Sequence, residues 1–177
     1  LAASSLILMV VISIPLGILA AVNRNKKIDY FVRGFTFIGI SVPSFWLGLI
    51  FLSIFGVKLK LVPIAGGTAN LKALILPAVT LALAMSAKYT RQVRTTVLDE
   101  LRQEYVTGAR IRGMSERVIM IKHVLPNVLL PLVTLLGLSL GSLLSGTAVV
   151  EIVYNWPGMG SMAVRAISTH DYPLVQG

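Results

Sequence analysis

The stretch that decides the fold runs from residue 104 to residue 127 and reads EYVTGARIRGMSERVIMIKHVLPN. It holds six charged side chains, in a chain of 177 residues that is 55% hydrophobic. A soluble domain carries about 25% charged residues, whereas this chain carries 13%, gathered in short blocks between long apolar runs. With a mean hydropathy of +0.83, this distribution is typical of an all-α protein that crosses a membrane several times. The charged stretch therefore lies between membrane spans.

The apolar runs around this stretch set the topology. A helix needs about 20 residues to cross the hydrocarbon core. We predict spans over residues 1–22, 35–55, 73–91 and 127–150, a cytoplasmic region over 92–123 and an external segment over 152–177, all in one transmembrane domain. The third run is short enough to be re-entrant. However, the polar loops after the first and third runs hold twelve of the sixteen Lys and Arg residues. The positive-inside rule places both loops in the cytoplasm if the third run spans.

Residue content excludes several classes of site. The chain has no cysteine, so it has no disulfide and no thiolate metal ligand. His123 and His170 lack the short spacing of a metal-binding pair, and we predict no metal site. The net charge of +9 does not indicate nucleic-acid binding, because the basic residues flank apolar spans. The chain begins at Leu1 without a Met or a signal-peptide pattern, and we expect it to be part of a longer membrane protein.

One motif in the fourth span resembles a hydrolase signature. Residues 137 to 141 read GLSLG, which matches G-x-S-x-G, but that motif requires a strand-to-helix turn with His and acid partners. Ser139 instead lies in the middle of a predicted helix. Gly137, Gly141 and Ser145 recur every four residues, and such a stripe of small residues favours close helix packing. No G-x-x-x-x-G-K-[ST] loop is present, so a partner must bind any ATP that drives this chain.

A second group of residues could line a substrate path. Glu151 ends the fourth span, and an acid at that depth is either functional or faces water at the interface; both interpretations stay open. The aromatic residues near span ends are either path residues or interfacial anchors. Anchoring is favoured for Trp156 and undecided for Trp46. The candidate path residues are Pro43, Phe45, Trp46 and Glu151.

The charged stretch itself predicts two helices around a glycine turn. A helix emerging near Arg91 carries an apolar stripe at positions 98, 101, 105 and 109. Gly108 and Gly113 punctuate it, since glycine is the preferred residue just after a helix. Ser115 can cap the next helix, which presents Val118, Ile121 and Leu125 on one face. This pattern favours a docking surface over a solvated loop, although both remain possible.

The same stretch resembles a known family. Gly113, nine residues and then HVLP at 123–126 are similar to the G-x9-I-x-L-P core of the cytoplasmic loop in ABC-importer permeases, and His in place of Ile is usual in the dipeptide, oligopeptide and nickel branch. Further similar segments are ISVPSFWLGL at 40–49, VVEIVYNWPGMG at 149–160 and DYPLVQG at 171–177. The family's Glu-Ala-Ala triplet is replaced by residues 107–109, TGA, and glycine at 108 costs about 1 kcal/mol in helix propensity.

The resemblance implies a type I ABC-importer permease fold, with about four of its six transmembrane helices and a cytoplasmic coupling helix. It implies a multi-pass protein of the bacterial or archaeal cytoplasmic membrane that imports di- or oligopeptides by alternating access. The implied partners are ATPase subunits that hold ATP and Mg, a homologous permease in a heterodimer, an extracytoplasmic substrate-binding protein and membrane lipid, with no cofactor on this chain. The residues implied to couple to the ATPase are Glu104, Tyr105, Thr107, Gly108, Ala109, Arg110, Gly113, His123, Leu125 and Pro126.

Three other functions remain as alternatives to peptide import. The nearest is import of nickel or a metal chelate by the same class of transporter, because that branch shares these motifs. An energy-independent channel would need no docking surface for an ATPase. An intramembrane serine hydrolase would need Ser139 as its nucleophile, and both histidines lie outside that span.

Overall fold

A computed structural model describes residues 1–62 and 71–176, without the side chains of residues 71, 142, 144–146 and 175. Within these residues the secondary structure is helical and contains no strand, which confirms the all-α prediction. Two segments, Leu52–Lys58 and Ile119–Val124, form wider, π-helical turns. The helices are α1 (Ala2–Val22), α2 (Lys27–Ser41), α3 (Ser44–Phe51), α4 (Leu71–Glu100), α5 (Glu104–Ile111), α6 (Glu116–Val118), α7 (Leu125–Val153), α8 (Met159–Ser168) and α9 (Tyr172–Gln176).

Three helical segments of the described chain are long and apolar enough to cross a membrane. They are Ala2–Val22, Lys72–Glu100 and Glu116–Gly141, and a bent pair of helices makes a fourth if it counts as one span. The first matches the predicted span over 1–22 almost residue for residue. It keeps Pro15 inside the helix, which membrane helices tolerate when neighbours satisfy the freed backbone groups.

The second predicted span, over 35–55, differs most from the structure. Its helix begins eight residues earlier, at Lys27, and the chain then bends by 98° between Lys27–Ser41 and Ser44–Lys58. Pro43 sits at the bend in an extended conformation, with φ −62° and ψ 139°. Proline has no backbone N–H to donate and disfavours a helical conformation in the preceding residue. These two effects end α2 and start α3 in a new direction.

The third predicted span and the helix expected after it form one continuous helix, α4, of 30 residues. This helix ends at Glu100, and α5 begins after a short turn at Glu104. Positions 98, 101, 105 and 109 therefore do not lie on a single helix, and the predicted stripe is wrong in that respect. Asp99 and Glu100 stand at the C-terminal end of α4, where the helix dipole disfavours negative charge.

The described residues group into two compact units. The first unit comprises Leu1–Met9, Ile40–Met85 and Leu140–Gly177. Its buried core is formed by Leu76, Leu81, Val150 and Tyr154. The second unit comprises Val10–Gly39 and Ser86–Ser139, and this unit contains the charged stretch. Its buried core is formed by Ala21, Val93, Val97, Val106, Ala109, Ile119, Val124, Val128 and Leu132.

The predicted packing stripe on α7 makes no close contact in the described chain. A Cβ placed on Gly137 or Gly141 would meet no atom within 4 Å, and the side chain of Ser145 lies outside the described residues. Close helix approach occurs elsewhere, where a Cβ on Gly17 would come within 2.6 Å of Val93. Ser139 lies inside α7 rather than on a strand-to-helix turn, so the G-x-S-x-G match lacks the geometry of a nucleophile elbow.

Candidate functional site

The charged stretch folds as α5, a glycine turn and a second helix. Gly113 has φ +74°, the left-handed conformation that glycine adopts without strain, and it follows the end of α5 as predicted. Gly108 does not end a helix; it lies inside α5. Ser115 occupies the position before the next helix, as predicted, but its side chain makes no capping hydrogen bond.

An ion pair bridges the glycine turn. The Arg110 guanidinium donates from Nε to Oε1 of Glu116 over 2.7 Å and from Nη2 to Oε2 over 3.2 Å. The carboxylate raises the pKa of Arg110 above its ordinary value. Both side chains are largely exposed, so solvent screening limits the pair to about 0.2–1 kcal/mol. The pair therefore adds only slightly to the stability of a turn whose conformation Gly113 already determines.

Tyr105 ties α5 to two other helices. Its hydroxyl donates to Oε2 of Glu100, at the end of α4, over 2.6 Å. The same hydroxyl accepts a hydrogen bond of 3.1 Å from Nδ2 of Asn127, in the first turns of α7. Burial, and then the bond to Glu100, raise the pKa of Tyr105, so the phenol stays protonated and continues to donate. We expected this side chain to enter a partner, but the structure uses it to anchor α5 within its own chain.

The apolar side of α5 also faces its own protein. Val106 is fully buried and Ala109 is 4% exposed, and both belong to the core of the second unit. Burying a side chain the size of valine contributes about 1.5–3 kcal/mol, which favours this orientation of α5. The expectation that the stripe with Ala109 would seat in a partner is therefore wrong. Val106 was not singled out from the sequence.

The opposite side of α5 is the surface left for a partner. Counting 100° per residue, positions 104, 107, 108 and 111 lie on the side of the helix away from Val106 and Ala109. Ile111 is 83% exposed, and Glu104 and Thr107 are exposed as well. We call these four residues, Glu104, Thr107, Gly108 and Ile111, the outer face. Ile111 was not found from the sequence, although its i, i+3, i+7 spacing from Glu104 and Thr107 could have indicated it.

The helix after the turn is shifted in phase relative to the prediction. Ile119, Val124 and Val128 are buried, whereas Ile121, expected on the apolar face, is 63% exposed. Ile119 and Val124 are the first and last residues of a wider, π-helical turn, in which backbone hydrogen bonds join residues five apart. Pro126 lies just beyond it and cannot donate to the preceding turn. His123 and Leu125 are half-buried, and Pro126 is exposed.

The structure assigns Glu151 a role that neither sequence interpretation anticipated. Its side chain is buried, and Oε2 accepts a 2.8 Å hydrogen bond from the backbone N–H of Ser161. This bond lies in the first turn of α8, where the helix dipole favours a carboxylate. The carboxyl group also packs against Gly158. Glu151 therefore positions α8. Of the other candidate path residues, Phe45 and Trp46 are exposed on α3, and Pro43 forms the bend.

Two polar clusters were not found from the sequence. The charged cluster, in the second unit, joins Asp29 of α2 to Arg94 of α4 by hydrogen bonds of 2.6 and 2.8 Å. The hydroxyl cluster, in the first unit, joins Thr80 to Tyr154 over 2.8 Å, while Tyr154 donates to the carbonyl of Gly48 over 3.0 Å. The partners are 65 to 106 residues apart in sequence, and no local pattern in a single sequence pairs them.

Comparison with known proteins now identifies the family. A family model described as "Binding-protein-dependent transport system inner membrane component" matches residues 13–177. The chain belongs to this family. Of these inner membrane components, the oligopeptide transport system permease protein AppB of Bacillus subtilis (strain 168) is 40% identical to the chain, over 97% of the chain and 57% of that protein.

Two further inner membrane components come from Escherichia coli (strain K12). The probable D,D-dipeptide transport system permease protein DdpB is 38% identical, over 100% of the chain and 60% of that protein. The glutathione transport system permease protein GsiC is 38% identical, over 98% of the chain and 56% of that protein. The chain thus spans somewhat more than half the length of these relatives. Their names refer to peptides and glutathione and lend the nickel alternative no support.

Proposed function

We propose that this chain forms part of the permease subunit of an ATP-driven importer that moves peptides across the bacterial cytoplasmic membrane by alternating access. The observation that carries the proposal is the outer face of α5. An exposed isoleucine beside an acidic and a hydroxyl side chain stands on a short helix whose other side is buried and hydrogen-bonded. Such a surface can bind a partner and move with it as a rigid body.

The proposed partner at the outer face is a cytoplasmic ATPase subunit, which would hold ATP and Mg. Glu104, Thr107 and Ile111 would contact this partner. Ala109, Gly113, Leu125 and Pro126 would support α5 and its turn from behind. A homologous permease and an extracytoplasmic substrate-binding protein would complete the transporter. Peptides are the proposed substrate because similar permeases carry oligopeptide, dipeptide and glutathione in their names.

The experiment that tests this proposal uses matched threonine variants. The full-length permease is co-expressed with its candidate ATPase, partner permease and binding protein, and ATPase co-purification is measured together with uptake of a labelled oligopeptide. Thr107→Arg places a charge on the outer face. Thr95→Arg places the same charge on an exposed position of α4 and serves as the control. Burying an unpaired charge in an interface weakens binding by about tenfold or more.

The proposal expects Thr107→Arg to lose both ATPase and uptake, and Thr95→Arg to keep both. Ile111→Asp is a second outer-face variant and is expected to behave like Thr107→Arg. If both outer-face variants retain the ATPase and transport at the wild-type rate, the outer face is not the docking site. If uptake continues in cells without the ATPase, the protein acts as a channel rather than as an ATP-driven importer.

A further inference from the structure

The charged cluster of the second unit is specified by several polar contacts. The carboxylate of Asp29 is fully buried and binds Arg94 through two parallel bonds, Nε to Oδ1 and Nη2 to Oδ2. Its Oδ2 also accepts a 2.9 Å bond from the backbone N–H of Asn25. Arg33 lies farther away, 3.7 Å from Oδ1. A paired guanidinium and carboxylate fix orientation as well as distance.

Stability alone does not account for such a pair. Taking two charges out of water costs several kcal/mol per ion, and apolar residues of similar size often hold a core together as well or better. What a paired guanidinium and carboxylate add is geometric specificity. Here the pair joins α2 to the part of α4 that lies in the same unit.

Arg94 lies on α4, the helix that also contacts α5. Six residues beyond it, Glu100 accepts the hydrogen bond of Tyr105 on α5. Val93 and Val97, within one helical turn of Arg94 on α4, lie in the core that includes Val106 of α5. A displacement of α5 therefore reaches α4 through Tyr105 and the core, and reaches α2 from α4 through Asp29.

We propose that Asp29 and Arg94 are positioning residues that make α2 follow α4 when the ATPase displaces α5. This inference rests on the proposed function, because it requires α5 to be moved by a partner. The pair acts on coupling rather than on docking. Its loss separates ATP hydrolysis from transport while the ATPase stays bound, since the outer face of α5 does not include either residue.

The test uses the complete transporter, reconstituted in liposomes with its partner permease, ATPase and peptide-loaded binding protein. The double variant Asp29→Leu with Arg94→Met removes the pair and leaves an apolar core. Peptide transported per ATP hydrolysed is the main measurement, and ATPase co-purification is the second. The control is Arg91→Gln, which changes an exposed arginine one turn earlier on α4.

The expected result is normal ATPase binding with peptide per ATP reduced at least about fivefold, the lower end of typical coupling between sites. Wild-type peptide per ATP in the double variant would overturn the inference. If that variant fails to assemble, Arg94→Lys decides the matter, because it keeps the charge but loses the second parallel bond. A reduced ratio in Arg94→Lys supports the inference and an unchanged ratio rejects it. Failure of the wild-type permease to retain the ATPase would instead refute the proposed function.

Discussion

The two polar clusters join helices by different physical means. In the charged cluster, Arg94 supplies separate N–H groups for each oxygen of Asp29, so every bond has its own proton. In the hydroxyl cluster, Tyr154 bonds Gly48, Thr80 bonds the carbonyl of Leu76, and the two hydroxyls also lie 2.8 Å apart. Two protons thus serve three contacts. Each bond of the charged cluster therefore has a fixed donor, whereas either hydroxyl can be the donor in the contact between Thr80 and Tyr154.

The largest expected effect comes from breaking only one half of the charged cluster. Arg94→Leu removes both parallel bonds and leaves the buried Asp29 carboxylate with the more distant Arg33, 3.7 Å from Oδ1. We expect a loss of about 3 kcal/mol in the free energy of unfolding, the lower end for a broken buried pair. Thermal denaturation of the detergent-solubilised full-length protein measures this loss. Arg91→Leu, on the exposed side of the same helix, is the control and should denature like the wild type. Equal midpoints for the two variants would contradict the buried pairing.

The hydroxyl cluster should be less sensitive to the same kind of change. Tyr154→Phe removes the contacts of this hydroxyl with Gly48 and Thr80, for an expected loss of about 1–3 kcal/mol at about 0.5–1.5 kcal/mol per bond. The carbonyl of Gly48 still accepts from the backbone N–H of Leu52. Thr80→Val should lose less, because its bond to Leu76 is local. A double-mutant cycle measures the interaction between the two hydroxyls. A Tyr154→Phe effect as large as that of Arg94→Leu would remove the contrast between the clusters.

The anchor of α5 gives a smaller effect on stability. Tyr105→Phe keeps the ring and loses the bonds to Glu100 and Asn127. Since the hydroxyl is partly solvated, the expected loss is about 0.5–1.5 kcal/mol. Peptide transported per ATP should fall as well, because α5 is then held to α4 by the core alone. Tyr30→Phe, at an exposed tyrosine of α2, controls for loss of a phenol; an equal result for both variants would argue against the anchoring role.

The smallest effect is expected at the exposed pair across the glycine turn. Arg110→Gln should cost about 0.2–1 kcal/mol at low salt. About 1 M salt should abolish the difference from wild type, because the Debye length is then about 3 Å. The effect of Arg94→Leu should persist at the same salt concentration, since that pair is buried. Denaturation midpoints at two salt concentrations separate the two cases.

The features that were predicted from the sequence are those that depend on local physics. The length of the first apolar run predicted α1. The preference for glycine just after a helix predicted the end of α5 before Gly113. The bend at Pro43 was missed because the predicted span is apolar on both sides of this residue, and hydropathy does not record direction. The side of α5 that faces inward was also missed, because an apolar stripe can pack against its own chain or a partner. Only the three-dimensional position of Val106 decides between them.

The residues of the two polar clusters could not be predicted for a different reason. Asp29 looked like one acid within a basic loop, and Arg94 like one of eight basic residues in another. Their pairing depends on how α2 and α4 lie together in the second unit. Glu151 was singled out from the sequence as either a path residue or an interfacial acid. Its contact with the first turn of α8, however, depends on a turn formed by residues after the span.

The turn at Gly113 imposes a constraint of chirality rather than of size. A Cβ on this residue would meet no atom within 4 Å, so there is room for a side chain, yet φ is +74°. An L-residue at such an angle is strained by about 1–2 kcal/mol, whereas a D-residue adopts this angle without strain. Semi-synthesis with D-alanine at position 113 should therefore preserve the turn that L-alanine weakens. The turn on which the proposed coupling depends is thus specified by the mirror-image preference of a single residue.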